Sequence, residues 1–389
     1  MRILYVHNDY GNWSGEEAAA EGLARLLTDR NHEVFWFRRS SRDLDESLAG
    51  KAKAFFAGIH NPFSARDIAR MLDEVKPDLV QVQNIYPLLS PSIFGPIRKR
   101  NIPIVMRCPN YRLFCPNGRH WVRGEVCERC LGCGRELWCV LKNCEGSILK
   151  STGYALRNAW ARISRSILAK VDMFIVQTEF QKQKFMEAGV PESQVGIVPG
   201  LVQYDGVVES QEDGNLVTFV GRVSPEKGVE EFLDAARLLP DIPFAIAGKE
   251  NGGRSLRERS PANVRWLGFL HADSLSGLYK HSRIIVVPGR WFEGFPNVAV
   301  QAMAHARPVV AARIGAMTCI VDDNKTGLLF TAGDAVDLSE KLSSLYQNRE
   351  LSRVLGQAAR RKALAEYSPE RIYGALMAVY EKALQRHHE

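Results

Sequence analysis

Leu216-Val217-Thr218-Phe219-Val220-Gly221-Arg222-Val223-Ser224-Pro225-Glu226-Lys227-Gly228 is the stretch whose reading decides the fold. Five β-forming residues run into a glycine turn and helical periodicity follows at once, the strand–turn–helix order of a βα unit. Glycine permits the tight strand exit, and Arg222 and Lys227 put two cations on one loop, which suits a diphosphate. Taken alone the signal is weak, because an Arg and a Lys beside a turn are solvated more often than not. A second element of the same kind lies downstream. Strand Ile284-Ile285-Val286-Val287 leads into Pro288-Gly289-Arg290-Trp291-Phe292-Glu293-Gly294-Phe295-Pro296-Asn297, then a helix carrying Val298 to Ala304. The amides at that helix start, residues 296–298, form an anion site, and Glu293 can accept hydrogen bonds from sugar hydroxyls. Its plainer reading is a helix-start carboxylate interacting with the dipole.

Working outward, the same alternation fills the chain. Strands are expected near 2–7, 33–37, 78–82, 103–107, 172–176 and 195–198, with helices near 16–29, 65–75, 90–100, 148–168 and 178–188. Residues 200–214 lose periodicity, gain turn and acidic residues, and read as a linker. Strands then recur near 216–220, 243–247, 263–267, 284–287, 308–311 and 327–330. The expected class is α/β, with two Rossmann-like doubly wound parallel-sheet domains. Their bounds are 1–199, with a cysteine-bearing insertion at 108–147, and 215–367. A break at Ser368-Pro369 opens a final helix, 368–389. A length of 389 residues is what two such domains require.

Gly221-Arg222…Lys227-Gly228, followed by Glu293-Gly294-Phe295-Pro296…Ala302-Met303-Ala304…Arg307-Pro308-Val309-Val310-Ala311, resembles retaining glycosyltransferase family 4, of the GT-B architecture. The resemblance implies two domains facing a cleft, with the last helix crossing back to the N-terminal one. It implies transfer of a hexose-type sugar from a nucleotide-diphosphate sugar to a glycan or polyprenyl- or lipid-linked acceptor, in cell-surface polysaccharide or glycolipid assembly. Arg222 and Lys227 would hold the diphosphate in place of a catalytic metal, and Glu293 would contact the sugar. Gly294, Phe295, Asn297 and Val298 would surround sugar and phosphate, while Gly248 and Leu267 would flank ribose and base. In the first domain, Gly11-Asn12-Trp13-Ser14-Gly15 matches the family's glycine-rich loop, with Gly15 on the donor and Gly11, Trp13 and Ser14 on the acceptor side.

Two positions depart from the family pattern. Gln301 stands where a second Glu would grip the ribose diol, and Pro109 stands where many relatives carry a His in a His-Asn-Tyr-Arg segment. Either Arg107, Asn110 or His120 takes over part of that role, or the donor sugar differs at the hydroxyl concerned. Tyr111 is retained as a further acceptor-side candidate. Both departures also suit a degenerate member that binds a nucleotide or glycan without turnover.

Charge and cysteine gather in one place. The chain carries a net +7, yet residues 98–170 hold 15 Lys and Arg against 4 Asp and Glu, so the remainder is slightly acidic. A basic block suggests an anionic partner or an ordinary solvated face; no nucleic-acid-binding pattern accompanies it, and none is expected to bind. Interleaved tryptophans suggest docking on an anionic membrane surface. Met1–His7 reads as a strand rather than a leader, so the expected location is the cytoplasm or the cytoplasmic face of the membrane. Cys108, Cys115, Cys127, Cys130, Cys133, Cys139 and Cys144 all fall within the block. The Cys-x-x-Cys spacing admits a structural zinc, with Cys115, Cys127, Cys130 and Cys144 as candidate ligands, alongside reduced thiols, disulfides or an iron–sulfur cluster.

Overall fold

A computed structural model describes residues 1–10, 15–43, 48–202, 214–250 and 254–388. The chain divides into two compact units. The first comprises Met1–Val122, Cys127–Leu201 and Pro369–Glu389, the second Arg123–Val126 and Val202–Ser368.

The strands are β1 (Arg2–Asp9), β2 (Glu33–Ser40), β3 (Leu79–Asn84), β4 (Ile104–Arg107), the short β5 (Trp121–Val122) and β6 (Glu125–Val126), β7 (Met173–Val176) and β8 (Val195–Ile197). They are followed by β9 (Leu216–Val220), β10 (Phe244–Ala247), β11 (Val264–Gly268), β12 (Ser282–Val287), β13 (Val309–Ala312) and β14 (Gly327–Phe330). All twelve expected strands are present. The first sheet runs β2-β1-β3-β4-β7-β8 and the second β11-β10-β9-β12-β13-β14. Every pairing within both is parallel. The central strands are covered on both faces, which is why they read as unbroken apolar runs rather than alternating ones.

Strand order fixes where ligands can sit. In a doubly wound sheet the crevice opens at the carboxyl ends of the two strands where the order reverses. Those strands are β1 and β3 in the first unit, β9 and β12 in the second. The second sheet is packed on both faces, by Phe232, Leu338 and Leu342 on one and by Met303, Ala359 and Tyr367 on the other. The final helix, Pro369–His388, buries Ile372, Leu376, Val379 and Tyr380 against Ile3, Tyr5, Val105 and Met173 of the first sheet. Helix Leu48–Ile59 went unforeseen in the sequence.

Candidate functional site

In the second unit, both sequence motifs leave the sheet at its switch point. After β9 the chain passes Gly221 and makes a single 3₁₀ turn, Pro225–Lys227, closed by Gly228 in the left-handed conformation at φ 72°. A Cβ there would lie 2.0 Å from the Pro288 carbonyl oxygen, so the two motif loops approach as only glycine allows. Gly248 does the same for β10: its Cβ would lie 1.7 Å from the Gly221 oxygen. The Arg290 amide donates to the Glu226 carbonyl at 2.9 Å and ties the loops together.

That contact brings together charges 66 positions apart in sequence. Lys227 Nζ donates to Glu293 Oε1 at 2.6 Å, with both side chains about one-fifth exposed, and lies 5.3 Å from the Trp291 ring centroid. Arg222 lies 3.3 Å from buried Glu226, and Arg290 lies 2.9 Å from Glu231. Arg222 is half exposed, so its charge remains open to a ligand. Glu226, Glu231, Arg290 and Trp291 were given no role in the sequence reading, although Glu226 directly precedes Lys227 and Arg290 and Trp291 lie in the same loop as Glu293.

The remaining donor-side candidates divide. Helix Asn297–Ala304 begins behind Pro296, which has no N–H, and the Asn297 amide is already bonded to the Phe295 carbonyl at 3.0 Å. The expected cradle over 296–298 is therefore smaller than the sequence suggested. The Phe295 ring is buried in the core against Tyr367, so only its backbone is available. Gly294 is buried, Val298 half-buried and Leu267 exposed. Gln301 Oε1 accepts from Tyr279 Oη at 3.0 Å; the Tyr279 ring stacks on His305, whose pKa burial lowers.

Residues 203–362 match the family model described as glycosyl transferases group 1. The second unit is a group 1 glycosyl transferase domain. An uncharacterized glycosyltransferase of Methanocaldococcus jannaschii is 31% identical over 190 residues, covering 47% of this chain and 53% of that protein. A D-inositol 3-phosphate glycosyltransferase of Mycobacterium leprae is 33% identical over 188 residues, 44% of this chain and 42% of the other. The chain thus spans about half the length of the curated relatives it matches. Among solved structures, a sucrose-phosphate synthase from Thermosynechococcus elongatus superposes with a TM-score of 0.71 at 18% identity, over 98% of each chain. An Anabaena protein, HepE, solved with UDP and glucose, gives 0.67 at 16% identity, over 98% of this chain and 99% of that one. These likenesses establish the fold: the chain is GT-B.

Outside the glycosyl transferase domain, the first unit carries a different kind of site. Gly11, Trp13 and Ser14 lie outside the described residues; Gly15 opens the helix Gly15–Thr28 and is exposed. A small cavity of about 30 Å³ is lined by Glu16, Gln83, Tyr86, Arg107, Cys108 and Asn110 among others, at the carboxyl ends of β1, β3 and β4. Two acceptor-side candidates are corrected. Tyr111 and His120 are fully buried and pack edge to face at 4.8 Å, and His120 Nδ1 pairs with the Cys127 carbonyl. They brace the insertion and cannot reach a ligand.

Cysteine placement is partly corrected as well. Cys115, Cys127, Cys130, Cys139 and Cys144 line one small cavity of about 10 Å³. Cys139, read as spare, is fully buried among them, whereas Cys133 is exposed. The Cys139 thiol bonds to the Cys144 sulfur, which raises the pKa of Cys139 and lowers that of Cys144. Burial pushes Cys115 up to about 11, against hydrogen bonds from the His120 and Gly118 amides that favour its thiolate. Five soft donors suit zinc in kind, but their spacing does not fit the expected site. Among the described residues, only His7, Asp9 and Glu17 bring three donor atoms within 4.8 Å of one another. Tetrahedral zinc, with bonds of ~2.3 Å, needs its sulfurs ~3.8 Å apart.

The helix that follows, Ile148–Ile163, is turned inside out. Arg157, Asn158 and Arg162 are buried, while Leu149, Leu156, Trp160 and Ile163 share one exposed face, 54–76% accessible. Arg162 forms a buried pair with Glu136 at 2.9 Å and also donates to the Cys130 and Leu131 carbonyls. The guanidinium of Arg157 lies over the Tyr86 and Tyr154 rings. Arg157 and Arg162 therefore do not contribute to the basic surface expected of this helix. The surface charges are Arg129, stacked on Trp138 at 4.5 Å, with Arg135, Lys150 and Arg165. Leu137 and Leu141 are exposed beside them. No helix of the described residues is long and apolar enough to cross a membrane.

Proposed function

We propose that the protein transfers a hexose-type sugar from a nucleotide-diphosphate sugar to a glycan or lipid-linked acceptor, with retention at the anomeric carbon. The observation that carries this reading is the Lys227–Glu293 pair, set beside Arg222 at the switch point of a group 1 glycosyl transferase domain. Breaking the bond from sugar C1 to the phosphate oxygen leaves the electron pair, and negative charge, on the diphosphate. Two cations held there in advance stabilise it without reorganising as the charge develops. On donor binding Lys227 would exchange Glu293 for phosphate oxygens, which frees the carboxylate to accept from sugar hydroxyls. The acceptor hydroxyl then bonds to C1 from the same face, and its proton passes to the departing phosphate oxygen. Arg222 and Lys227 supply the positive charge that a divalent ion supplies in other transferases. The acceptor falls to the first unit. Support in kind comes from the named relatives, which include D-inositol 3-phosphate glycosyltransferases, and from the neighbour solved with UDP and glucose.

The test is release of nucleotide diphosphate from a panel of nucleotide-sugars. Release from one of them, with the anomeric configuration kept in the product, is the expected outcome. Tight nucleotide binding without release from any donor would leave a binding protein instead.

We further infer peripheral docking on an anionic membrane. A helix with apolar residues outward and arginines inward is the reverse of a water-facing surface helix, and the flanking Arg and Lys attract anionic lipid at roughly 1 kcal/mol each. Co-sedimentation with vesicles containing phosphatidylglycerol should fall sharply for Leu149→Ser/Trp160→Ser. Equal binding by the variant, or none by the parent, overturns this.

A further inference from the structure

Arg107 is the last residue of β4 and the largest fully buried side chain of the molecule, only 1% exposed. None of its three guanidinium nitrogens has a hydrogen-bond partner, and no other described arginine has all three buried in that state. The contrast with Arg162 is direct, since that equally buried guanidinium meets Glu136 and two carbonyls. Gln83, near the end of β3, repeats the pattern. It is 3% exposed, and both its amide nitrogen and its oxygen lack partners. Both residues line the small cavity of about 30 Å³ at the switch point of the first sheet, where a doubly wound fold places its ligand.

The groups facing that cavity decide what it would take. Glu16 is the one carboxylate on its wall. It is engaged by Tyr10 Oη at 2.8 Å and more loosely by Asn110 Nδ2 at 3.5 Å, and Tyr10 Oη also accepts from Arg112 at 2.7 Å. Arg107 and Arg112 together outweigh Glu16, so the wall carries one uncompensated positive charge. Burial lowers the pKa of Arg107, and the Glu16 carboxylate opposes this only in part. Burying an unpaired guanidinium opposes folding, and a neutral hydroxyl ligand would not offset it. A planar fork of N–H donors matches two oxygens of one anion, and the Gln83 amide can add a third hydrogen bond.

We propose that this pocket holds an anionic group of the acceptor, a carboxylate or a phosphate monoester, gripped by Arg107 and Gln83. The word acceptor rests on the transferase reading above; the anion site itself does not.

The experiment measures the binding and thermal-shift response of the full chain to inorganic phosphate and to glucuronate, against chloride at matched ionic strength. Because phosphate can also enter the diphosphate site, the titrations are repeated in Arg222→Ala/Lys227→Ala. The expected result is that at least one anion stabilises the parent and the double variant alike, and that Arg107→Met weakens it tenfold or more. A response to phosphate alone, or to glucuronate alone, assigns the group. Arg107→Met should melt no lower than the parent without ligand, since it removes an unpaired buried charge, and Gln83→Leu provides a milder second variant. UDP binding, which reports on the second unit, should be unchanged in both. No response to either anion in the parent overturns the proposal, as does a response that disappears in Arg222→Ala/Lys227→Ala but survives Arg107→Met. Failure of every nucleotide diphosphate in a panel of UDP, GDP and ADP to bind would strike the transferase reading and leave the anion result standing.

Discussion

The two units have the same kind of sheet and hold their charged side chains differently. In the second unit the cations at the switch point are paired but accessible: Lys227 and Glu293 keep 19% and 24% of their side-chain surface. In the first unit the charges are sealed in: the Arg162–Glu136 pair of the cysteine-bearing insertion keeps 6% and 3%, and Arg107, at the switch point, has no hydrogen-bond partner. An accessible pair can exchange one partner for a ligand at little cost, because water stabilises the intermediate arrangement. A sealed pair cannot, and so works as structure. Among paired charges, accessibility therefore separates residues free to act from residues that hold; Arg107 is sealed but unpaired, and keeps its donors for a ligand.

The harshest way to break this comparison is Arg162→Met. It would leave the Glu136 carboxylate buried without its partner, a loss on the order of 3–5 kcal/mol. At ~2–4 °C per kcal/mol, scanning calorimetry should show the first-unit transition fall by roughly 6–20 °C. Affinity for the nucleotide diphosphate should not change. A loss below 1 kcal/mol would mean that the pair is already solvated and that the contrast is not real. Next in size is Lys227→Ala, or Arg222→Ala, in the second unit. Removing one preorganised charge-stabilising donor should lower turnover ~10²-fold or more. The melting temperature should hardly move, since a partly exposed pair contributes about 0–1 kcal/mol to stability. Near-parental rates in both variants would sink the site assignment.

How much of this was legible in sequence follows the same division. Strand–turn–helix order is local, so the twelve strands and the two motif loops could be read from apolar runs and the glycines after them. Lys227–Glu293 could be anticipated as two residues of one site, but not as an ion pair, because the pairing depends on how closely Gly228 lets the Pro288 backbone approach. In the first unit, periodicity misled. A helix with Lys150, Arg157 and Arg162 reads as basic outward, yet Glu136 and the aromatic rings of Tyr86 and Tyr154 draw two of those arginines inside. Nor does spacing reveal that Cys139 joins the cavity and Cys133 does not, because that depends on which face of the short helix Leu137–Leu141 is buried.

Acid offers a milder discrimination. Burial lowers the pKa of His7, His32 and His120 in the first unit and of His305 in the second, all from 6.5. Above about pH 6.5 these groups are neutral folded or unfolded and contribute no pH dependence. As pH falls below that value the unfolded chain takes up protons that the folded chain refuses, so stability declines by at most ~1.4 kcal/mol per pH unit for each group. With three such histidines against one, the first unit should lose stability faster. Asp9 and Glu145, whose pKa values burial raises, act in the opposite sense and set the lower edge of this window. Calorimetry at stepped pH should show the two transitions separate between about pH 6.5 and 5.5; parallel shifts would contradict it.

The smallest effect tests the accessible site most finely. Gln301 already accepts from Tyr279 Oη, and a carboxylate at this position would keep that donor while presenting a second, charged oxygen to a ribose diol. Hydrogen bonds to a charged acceptor exceed those to a neutral amide by about 1 kcal/mol, so Gln301→Glu should tighten binding of the free nucleotide diphosphate by a factor of a few to ten. The gain should vanish with a 2′,3′-dideoxy nucleotide, which has no diol to grip. Tightening that persists with the dideoxy ligand would place the new charge elsewhere on the nucleotide. No tightening at all would mean that Gln301 does not face the ribose, and that the hydrogen bond from Tyr279, stacked on His305, holds this side chain as structure in the manner of the first unit.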